Sequence, residues 1–354
     1  MNFNYRVATG IIVKEYLDEK EISEEKLAEI LCTSKRNVSE FLKGKSGLTE
    51  EIANGLEKVL PEISASYWLN LEEKYNEYVL LEKHNEEKIE IEILKDIANK
   101  FKFKEVFKGL GWDLKKQAKE MLNILKLDNF NDFNIKYSNL QVDFFEDGGQ
   151  KEAIAVWLGL CEEEAEFQIE EVEKNEYSHE KLEKNLKLFK AIANNDNLDK
   201  SLTSCRKLCN RFGIYFVELE AISNCKVRGA LTTFKNHPAI FISRRFKTHD
   251  HTWFAIAHEL GHLLKHYKTG DLLISMEEEI EKKGEVKEEE ANEFARDFFI
   301  SKEKYNKFLA EKNFTEKNIE LFSIKNKIQP GILIARLQHD GYLSMAAMNH
   351  KKSK

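Results

Sequence analysis

Residues 253–267 read Trp-Phe-Ala-Ile-Ala-His-Glu-Leu-Gly-His-Leu-Leu-Lys-His-Tyr, and this stretch decides how the rest of the chain is interpreted. His258 and His262 are four residues apart, so on a helix they share one face and lie about 6 Å apart along its axis. Both imidazoles can then bind a single zinc ion. Glu259 follows the first histidine, where its carboxylate can accept a proton from water beside the metal. The sequence therefore predicts Zn²⁺ as cofactor, His258 and His262 as ligands and Glu259 as catalytic base.

An amphipathic helix with two incidental histidines is the alternative interpretation. Both histidines fall inside an apolar run, where an unpaired imidazole would be costly to bury and a metal would relieve that cost. The metal site is therefore favoured. Lys265 and Lys268 occupy the positions where the longer zinc-protease pattern has a glycine and a third histidine. A third ligand must come from later in the chain.

The segment from Glu288 to Ile300 has the apolar spacing of a helix and offers three adjacent carboxylates. Helical geometry places Glu288 about 60° from the apolar residue Ala291, Glu290 about 100° and Glu289 about 160°. Glu288 is therefore the predicted ligand, and Glu290 is the alternative. One turn later, the amide of Asn292 could orient a ligand or a histidine ring.

Composition indicates a mainly α-helical protein of several domains. The chain has 354 residues, 42% of them hydrophobic, with 3 prolines and a net charge of −7. That charge argues against a protein that coats nucleic acid without specificity. No signal-type or membrane-spanning segment is recognisable, so we expect a cytoplasmic protein without membrane partners. Cys205-x3-Cys209 resembles half a metal or redox site, but buried core thiols are the favoured interpretation.

Three domains are predicted, at residues 1–75, 76–200 and 201–354. The first is all-helical, because Ser23, Ser34 and Thr49 each stand where a helix N-cap is expected. The second is a helical connecting domain in which we find no residues that carry chemistry. In the third, residues 214–217, 229–234 and 239–242 read as short strands ahead of the helix with His258. This order predicts an α+β domain, like that of compact zinc proteases, with a small antiparallel sheet.

The first domain contains two helices joined by the short turn Cys32-Thr33, the sequence form of a helix-turn-helix. Lys26-Leu-Ala-Glu-Ile-Leu, Val38-Ser-Glu-Phe-Leu-Lys-Gly-Lys and Tyr67-Trp-Leu are similar to the Cro/C1-type domain of HigA-family antitoxins. The resemblance implies a recognition helix at residues 34–42 and binding of an operator in double-stranded DNA. It points to Lys35, Arg36, Asn37 and Ser39 as DNA-facing residues, and the nearby Lys43 and Lys45 complete a local basic cluster that could bind DNA.

The charge of this region supports a rival interpretation. Residues 1–70 contain nine Lys or Arg and twelve Asp or Glu, a net charge of −3. DNA binding would have to depend on the local basic cluster alone. The alternative is a helical module kept for protein docking or dimerisation.

The third domain carries several motifs of one protease family. They are Arg228-Gly-Ala, His258-Glu-Leu-Gly-His, Glu288-Glu-Glu-Ala-Asn and Gln329-Pro-Gly-Ile-Leu-Ile-Ala-Arg-Leu-Gln-His-Asp-Gly. These are similar to the ImmA/IrrE family of metallo-endopeptidases. The resemblance places the third ligand at Glu288. It implies a regulator that cleaves a protein partner, such as a transcriptional repressor or a toxin-antitoxin partner, in stress, phage or mobile-element control.

Two further hypotheses concern activity and assembly. His339, near the end of the chain, could stabilise an oxyanion, although a surface histidine is commoner. On duplex DNA with partial two-fold symmetry we expect a homodimer. The functional alternative is an antitoxin or repressor without proteolytic activity, whose zinc domain senses a ligand or a metal. An intact Glu259 favours the enzyme, because a structural zinc site needs no base.

Overall fold

A computed structural model describes residues 6–84, 91–138, 140, 151–245, 247–276 and 286–352. Their contacts divide the chain into two compact units, residues 1–90 and 91–354. The mainly helical fold with one small sheet confirms the predicted fold class. The domain boundaries at residues 75 and 200 stay predictions. Among the described residues, no helix combines the length and apolar character needed to cross a bilayer.

The first unit contains five helices in the part of it that the structure describes: α1 Thr9–Glu19, α2 Glu24–Ile30, α3 Lys35–Leu42, α4 Glu50–Val59 and α5 Ala65–His84. The three predicted N-caps are confirmed. The side chains of Ser23, Ser34 and Thr49 accept hydrogen bonds from backbone N–H groups three residues later, at 3.2, 3.2 and 3.3 Å. Each cap satisfies a donor that the first helical turn leaves free, which fixes where the helix begins.

The second unit begins with helices and short turns, and its described elements are listed here in chain order. Those before the sheet are α6 Ile91–Lys100, α7 Phe103–Val106, α8 Leu114–Ile124, the 3-10 helix Phe130–Asp132, α9 Phe133–Lys136, α10 Lys151–Glu166, α11 Ile169–Val172, α12 His179–Ala193 and α13 Leu198–Arg211. The remainder are β1 Tyr215–Leu219, β2 Val227–Phe234, β3 His237–Ser243, α14 His249–Lys265, β4 Leu273–Met276, α15 Val286–Phe299, α16 Lys302–Ala310, α17 Glu316–Asn326, α18 Pro330–His339 and the 3-10 helix Asn349–Lys351.

The sheet has the strand order β1-β3-β2-β4 and is mixed, so the expectation of a purely antiparallel sheet is corrected. β2 pairs antiparallel with β3 and with β4, but β1 pairs parallel with β3. β3 inserts between β1 and β2, and β1, β3 and β4 all run in one direction, opposite to β2. Lys235 and Asn236, both with positive φ, form the two-residue turn of the β2–β3 hairpin.

The core of the second unit lies between the sheet and the helices α12, α13, α14, α15 and α18. Cys205 and Cys209 are buried free thiols within it, which confirms that interpretation, and burial raises the pKa of Cys205 well above its ordinary value. Hydrogen bonds connect residues 151–172 to the backbone of β1. The indole of Trp157 donates to the Leu219 carbonyl at 3.2 Å, and the amide of Gln168 bonds both backbone groups of Phe216.

Candidate metal centre

Helix α14 places His258 and His262 one above the other in the buried interior of the second unit. Both side chains are almost fully buried, and their Nε2 atoms lie 2.9 Å apart. The four-residue spacing produces this stacking, because residues i and i+4 share a helix face. The α14 helix contacts β2, β3, α15 and α18, so the two imidazoles are held inside the fold.

Glu288 comes from the first turn of α15 and completes a cluster of three side chains. Its two carboxylate oxygens lie 3.1 Å from His258 Nε2 and 2.9 Å from His262 Nε2. Burial raises the pKa of Glu288, but its contacts with His258 and His262 outweigh burial and hold the pKa at about 2. Glu288 is therefore an anion at neutral pH, the form that binds a metal.

The other predicted positions on α15 take different partners. Asn292 is buried, and its amide oxygen lies 2.9 Å from His258 Nδ1, so it accepts a hydrogen bond from that ring. Glu289 pairs with Arg296 at 2.9 Å, and Glu290 reaches His266 at 2.8 Å. Of the three adjacent glutamates, Glu288 alone belongs to the cluster of possible metal ligands found among the described residues.

The carboxylate of Glu259 is fully buried beside this cluster. Ser275 on β4 donates to Glu259 Oε1 at 2.7 Å, and Oε2 is buried without a hydrogen-bond partner among the described residues. Burial raises the pKa of Glu259, and the charges of His258 and His262 and the bond from Ser275 oppose this rise. A raised pKa makes a carboxylate a stronger base and suits it to proton transfer near neutral pH.

Gly229 on β2 makes room for Glu259. A Cβ atom at this position would lie 2.5 Å from Glu259 Oε1. Gly229 belongs to the Arg228-Gly-Ala motif, so a sequence signal for it existed, although its contact with Glu259 was not predicted. Ser275 had no such signal, because it lies on the short strand β4, which the sequence analysis missed.

A cleft of about 870 Å³ adjoins the site, and its walls include Asn292, Phe254 and Ile332. His339 also lines this cleft. Its side chain is 51% exposed, and its Nδ1 lies 2.9 Å from Asp340 Oδ1. His339 therefore lines the same cleft as Asn292, whose amide contacts His258. Its catalytic role stays a prediction.

The predicted DNA-facing residues lie on and after α3 in the first unit. The ammonium of Lys35 pairs with Glu25, and Arg36 Nε pairs with Glu40 at 3.1 Å. Asn37 donates to the Thr33 hydroxyl at 3.0 Å. Ser39 is half-buried, whereas Lys43 and Lys45 are exposed. All six residues fall within one short stretch of the surface, and binding of DNA by them stays a prediction.

Comparison with known proteins bears on the second unit. Residues 209–334 match the family model of the IrrE N-terminal-like domain, Peptidase_M78. No curated protein and no solved structure matches the chain. The matched segment contains the sheet, α14 and α15, and with them every residue of the cluster. Similarity to the IrrE N-terminal-like domain supports a metallopeptidase-type domain in this part of the chain and implies a metal ion.

The donor set agrees with a metal ion at this position. His258, His262 and Glu288 each direct one donor atom to a common point, and these atoms all lie within 4.8 Å of one another. Because Asn292 Oδ1 accepts a hydrogen bond from His258 Nδ1–H, the lone pair of that ring is at Nε2, facing the other two side chains. Two ring nitrogens and a carboxylate in contact are stabilised by a cation between them.

Proposed function

We propose that the second unit is a zinc-dependent endopeptidase domain. The observation that carries this proposal is the convergence of His258, His262 and Glu288, with Glu259 buried beside them. A set of two histidines and one glutamate is characteristic of catalytic zinc sites, which keep the fourth coordination position open.

Zinc fits the spacing of these donor atoms. Ligand distances of about 2.0–2.1 Å in a tetrahedral site place the donor atoms about 3.3 Å apart. The three side chains approach one another at 2.9–3.1 Å, so a small relaxation is enough to accept the ion. Nitrogen and carboxylate donors favour zinc over the oxygen-seeking ions magnesium and calcium.

The protein's own residues then perform the proton transfers of peptide hydrolysis. When bound, zinc supplies Lewis-acid polarisation of the peptide carbonyl and of water. Ser275 fixes one oxygen of Glu259, which leaves Oε2 to accept a proton from the attacking water. Glu259 passes this proton to the amine that leaves when the peptide bond breaks. The cleft lined by Asn292, whose amide contacts His258, offers space for a substrate chain.

Substitution of the base separates catalysis from metal binding. We expect Glu259→Gln to retain zinc and to lose cleavage, because the amide cannot accept the proton. His258→Ala should lose zinc, which elemental analysis measures. The substrate test incubates the zinc-loaded chain with the repressors encoded beside its gene and identifies new N-termini by mass spectrometry. Equal cleavage by Glu259→Gln and the parent would refute this mechanism, whereas no cleavage by the zinc-loaded parent would favour a non-proteolytic sensor.

His339 is a candidate for oxyanion stabilisation within the proposed mechanism. Its place on the cleft wall supports this assignment, since a donor there can face a bound peptide carbonyl. His339→Gln should lower kcat while zinc content stays constant. Lys302→Gln, an exposed change in the same unit, is the matched control. Unchanged kcat in His339→Gln would reduce this residue to an ordinary surface histidine.

A second function, specific binding of duplex DNA by a homodimer, is favoured by the first unit. The helices α2 and α3 are joined by a short turn, and α3 begins with three exposed polar residues, Lys35, Arg36 and Asn37. Their pairs with Glu25, Glu40 and Thr33 are exposed, and exposed pairs are weak enough to exchange for phosphate or base contacts. Arg and Asn side chains are suited to reading guanine and adenine edges.

Charge reversal tests this binding mode. Lys35→Glu with Arg36→Glu should abolish retention of DNA from the gene's own upstream region without changing zinc content. Lys20→Glu with Lys58→Glu, two reversals at exposed positions outside α3, serves as a charge-matched control. If the parent retains no such DNA even at low salt, the first unit is better explained as a protein-docking module. With both functions present, the chain would regulate transcription by removing a repressor.

A further inference from the structure

His266 and Glu290 form a second line of hydrogen bonds behind the metal cluster. His266 is the C-cap of α14, one turn beyond His262, and its Nδ1 lies 3.0 Å from His262 Nδ1. Its other ring nitrogen, Nε2, lies 2.8 Å from Glu290 Oε2. The imidazole of His266 is only 6% exposed, whereas the carboxylate of Glu290 is 49% exposed.

The direction of each hydrogen bond follows from the protons available. Glu290 as a carboxylate can only accept, so His266 donates to it through Nε2–H. A neutral His266 then has its lone pair at Nδ1 and accepts from His262 Nδ1–H. This leaves the lone pair of His262 at Nε2, facing His258 and Glu288. If His266 Nδ1–H instead donated to His262 Nδ1, the neutral His262 ring would carry its proton on Nε2. That N–H group would point into the cluster and exclude a metal.

The two metal-binding histidines are thus supported in different ways. His258 donates directly to the neutral amide of Asn292 on α15. The Nδ1 side of the His262 ring is connected to α15 through the His266 ring and Glu290. Lys265 strengthens the same connection, because its ammonium donates to the Glu290 backbone carbonyl at 3.3 Å. Both ring nitrogens of His266 are used by His262 and Glu290, so neither is turned toward the metal position.

We propose that His266 and Glu290 are positioning residues that fix the ring orientation and tautomer of His262 and thereby raise the affinity of the site for zinc. The inference rests on the proposed zinc site but not on peptidase activity. Partners behind a metal ligand typically contribute about 10- to 100-fold in metal affinity. Glu290 acts only through His266, so the two contributions are coupled and not additive.

The experiment measures zinc affinity by competition with a chromophoric chelator, using the full chain. His266→Ala should raise the Kd for zinc by about 10- to 100-fold. Glu290→Ala should raise it less, and Glu290→Gln should restore most of the affinity, because the amide oxygen still accepts from His266 Nε2–H. The double variant should bind no more weakly than His266→Ala. Glu289→Ala is the matched control, adjacent and exposed, and should leave the Kd unchanged.

Cobalt substitution distinguishes positioning from direct ligation. The visible absorption of Co²⁺ in His266→Ala should retain the shape and intensity of the parent spectrum at saturating metal. A spectrum showing a lost nitrogen ligand would overturn the proposal, since His266 would then bind the metal itself. Zinc affinities within twofold of the parent in both His266→Ala and Glu290→Ala would also overturn it.

These measurements distinguish failure of the positioning role from failure of the proposed zinc site. If the parent chain binds no zinc, both the proposed enzyme and the positioning role fail. If the parent binds zinc and cleaves nothing, the positioning role is still decided by the affinities. Glu290 is half exposed, so its variants keep the test decisive if His266→Ala does not fold.

Discussion

Gly229 shows how an absent side chain can fix the position of a neighbouring carboxylate. Its missing Cβ leaves the space that Glu259 Oε1 occupies, while Ser275 holds the same oxygen by a hydrogen bond. Strand β2 therefore approaches the carboxylate as closely as van der Waals contact allows. The base is held by steric and polar contacts from two neighbouring strands, and little freedom to rotate remains.

Gly229→Ala is expected to displace this carboxylate. The added Cβ would lie 2.5 Å from Oε1, a distance that Glu259 cannot accommodate without moving. A displacement of about 1 Å in a catalytic group can cost on the order of 100-fold in rate. Peptidase kinetics should show this loss in kcat, with zinc content unchanged. Gly331→Ala, where an added Cβ meets no atom closer than 3.4 Å, is the control. Equal losses in both variants would contradict the explanation.

Burial of His249 is expected to make the free energy of unfolding depend on pH. Burial lowers the pKa of this imidazole below its ordinary value of 6.5, and nearby Asp250 opposes that shift only in part. At lower pH the unfolded chain binds a proton that the folded chain does not, so acid favours unfolding. Between pH 6.5 and the pKa of His249 in the folded protein, the free energy of unfolding should fall by up to about 1.4 kcal/mol for each unit by which the pH is lowered.

Urea unfolding at several pH values measures this effect. His249→Gln should flatten the dependence between pH 6.5 and the folded pKa, since the titrating group is gone. Lys302→Gln, an exposed substitution that removes no histidine, should keep the parent's slope. An unchanged slope in His249→Gln would assign the acid sensitivity to other groups.

The residues that could be predicted are those whose geometry is local. His258, Glu259 and His262 share one helix, and helical phase together with the family resemblance favours Glu288 over its two neighbours. Ser275 and His266 were missed for different reasons. The contact of Ser275 depends on sheet pairing, and the direction of the His266 ring depends on a partner on another helix. Sequence spacing contains neither piece of information.

At the level of elements, the close approach of α14 and α15 assembles the cluster. Gly261 on α14 faces α15, and a Cβ there would lie 3.0 Å from the Phe294 ring and 3.3 Å from Ala291 Cα. Two small residues therefore let the helices meet closely. Because Glu288 belongs to α15 and the histidines to α14, the distance between these helices sets the distances between donor atoms.

Gly261→Leu should separate the two helices and weaken the site. Overpacking of a tight contact typically costs about 1–3 kcal/mol, and here it also moves Glu288 away from both histidines. We expect a lower melting temperature and a higher Kd for zinc. Gly261→Ala should have a smaller effect, because the better helix propensity of alanine offsets part of the strain. A destabilised variant with unchanged zinc affinity would show that helix separation does not control the site.

The elements themselves were predictable where a side chain marks their ends. Ser23, Ser34 and Thr49 cap their helices as expected, and β1, β2 and β3 lie within a few residues of their predicted positions. β4 was missed because four residues are too short for a reliable alternating pattern. The parallel pairing of β1 with β3 could not be predicted, since strand order is a property of the whole sheet.

At the level of the whole molecule, zinc should stabilise one unit and leave the other unchanged. The predicted ligands all belong to residues 258–288, within the second unit. Binding to the folded state alone adds about 2.7 kcal/mol when free zinc is 100 times its Kd. In calorimetry, removal of zinc by a chelator should lower the melting temperature of residues 91–354. The melting temperature of the smaller unit, residues 1–90, should stay unchanged. Equal shifts in both units would indicate metal binding outside the cluster.

The insertion of β3 between β1 and β2 has a consequence for synthesis on the ribosome. β1 is made first, but its partner in the described sheet is β3, about 20 residues later, a delay of about 1–4 s at ordinary elongation rates. Trp157 and Gln168 precede β1 in the chain. In the folded protein their side chains form hydrogen bonds with the β1 backbone. The helices that carry no chemistry can therefore hold the first strand while the hairpin emerges, and the metal site can assemble only after α15 has been made.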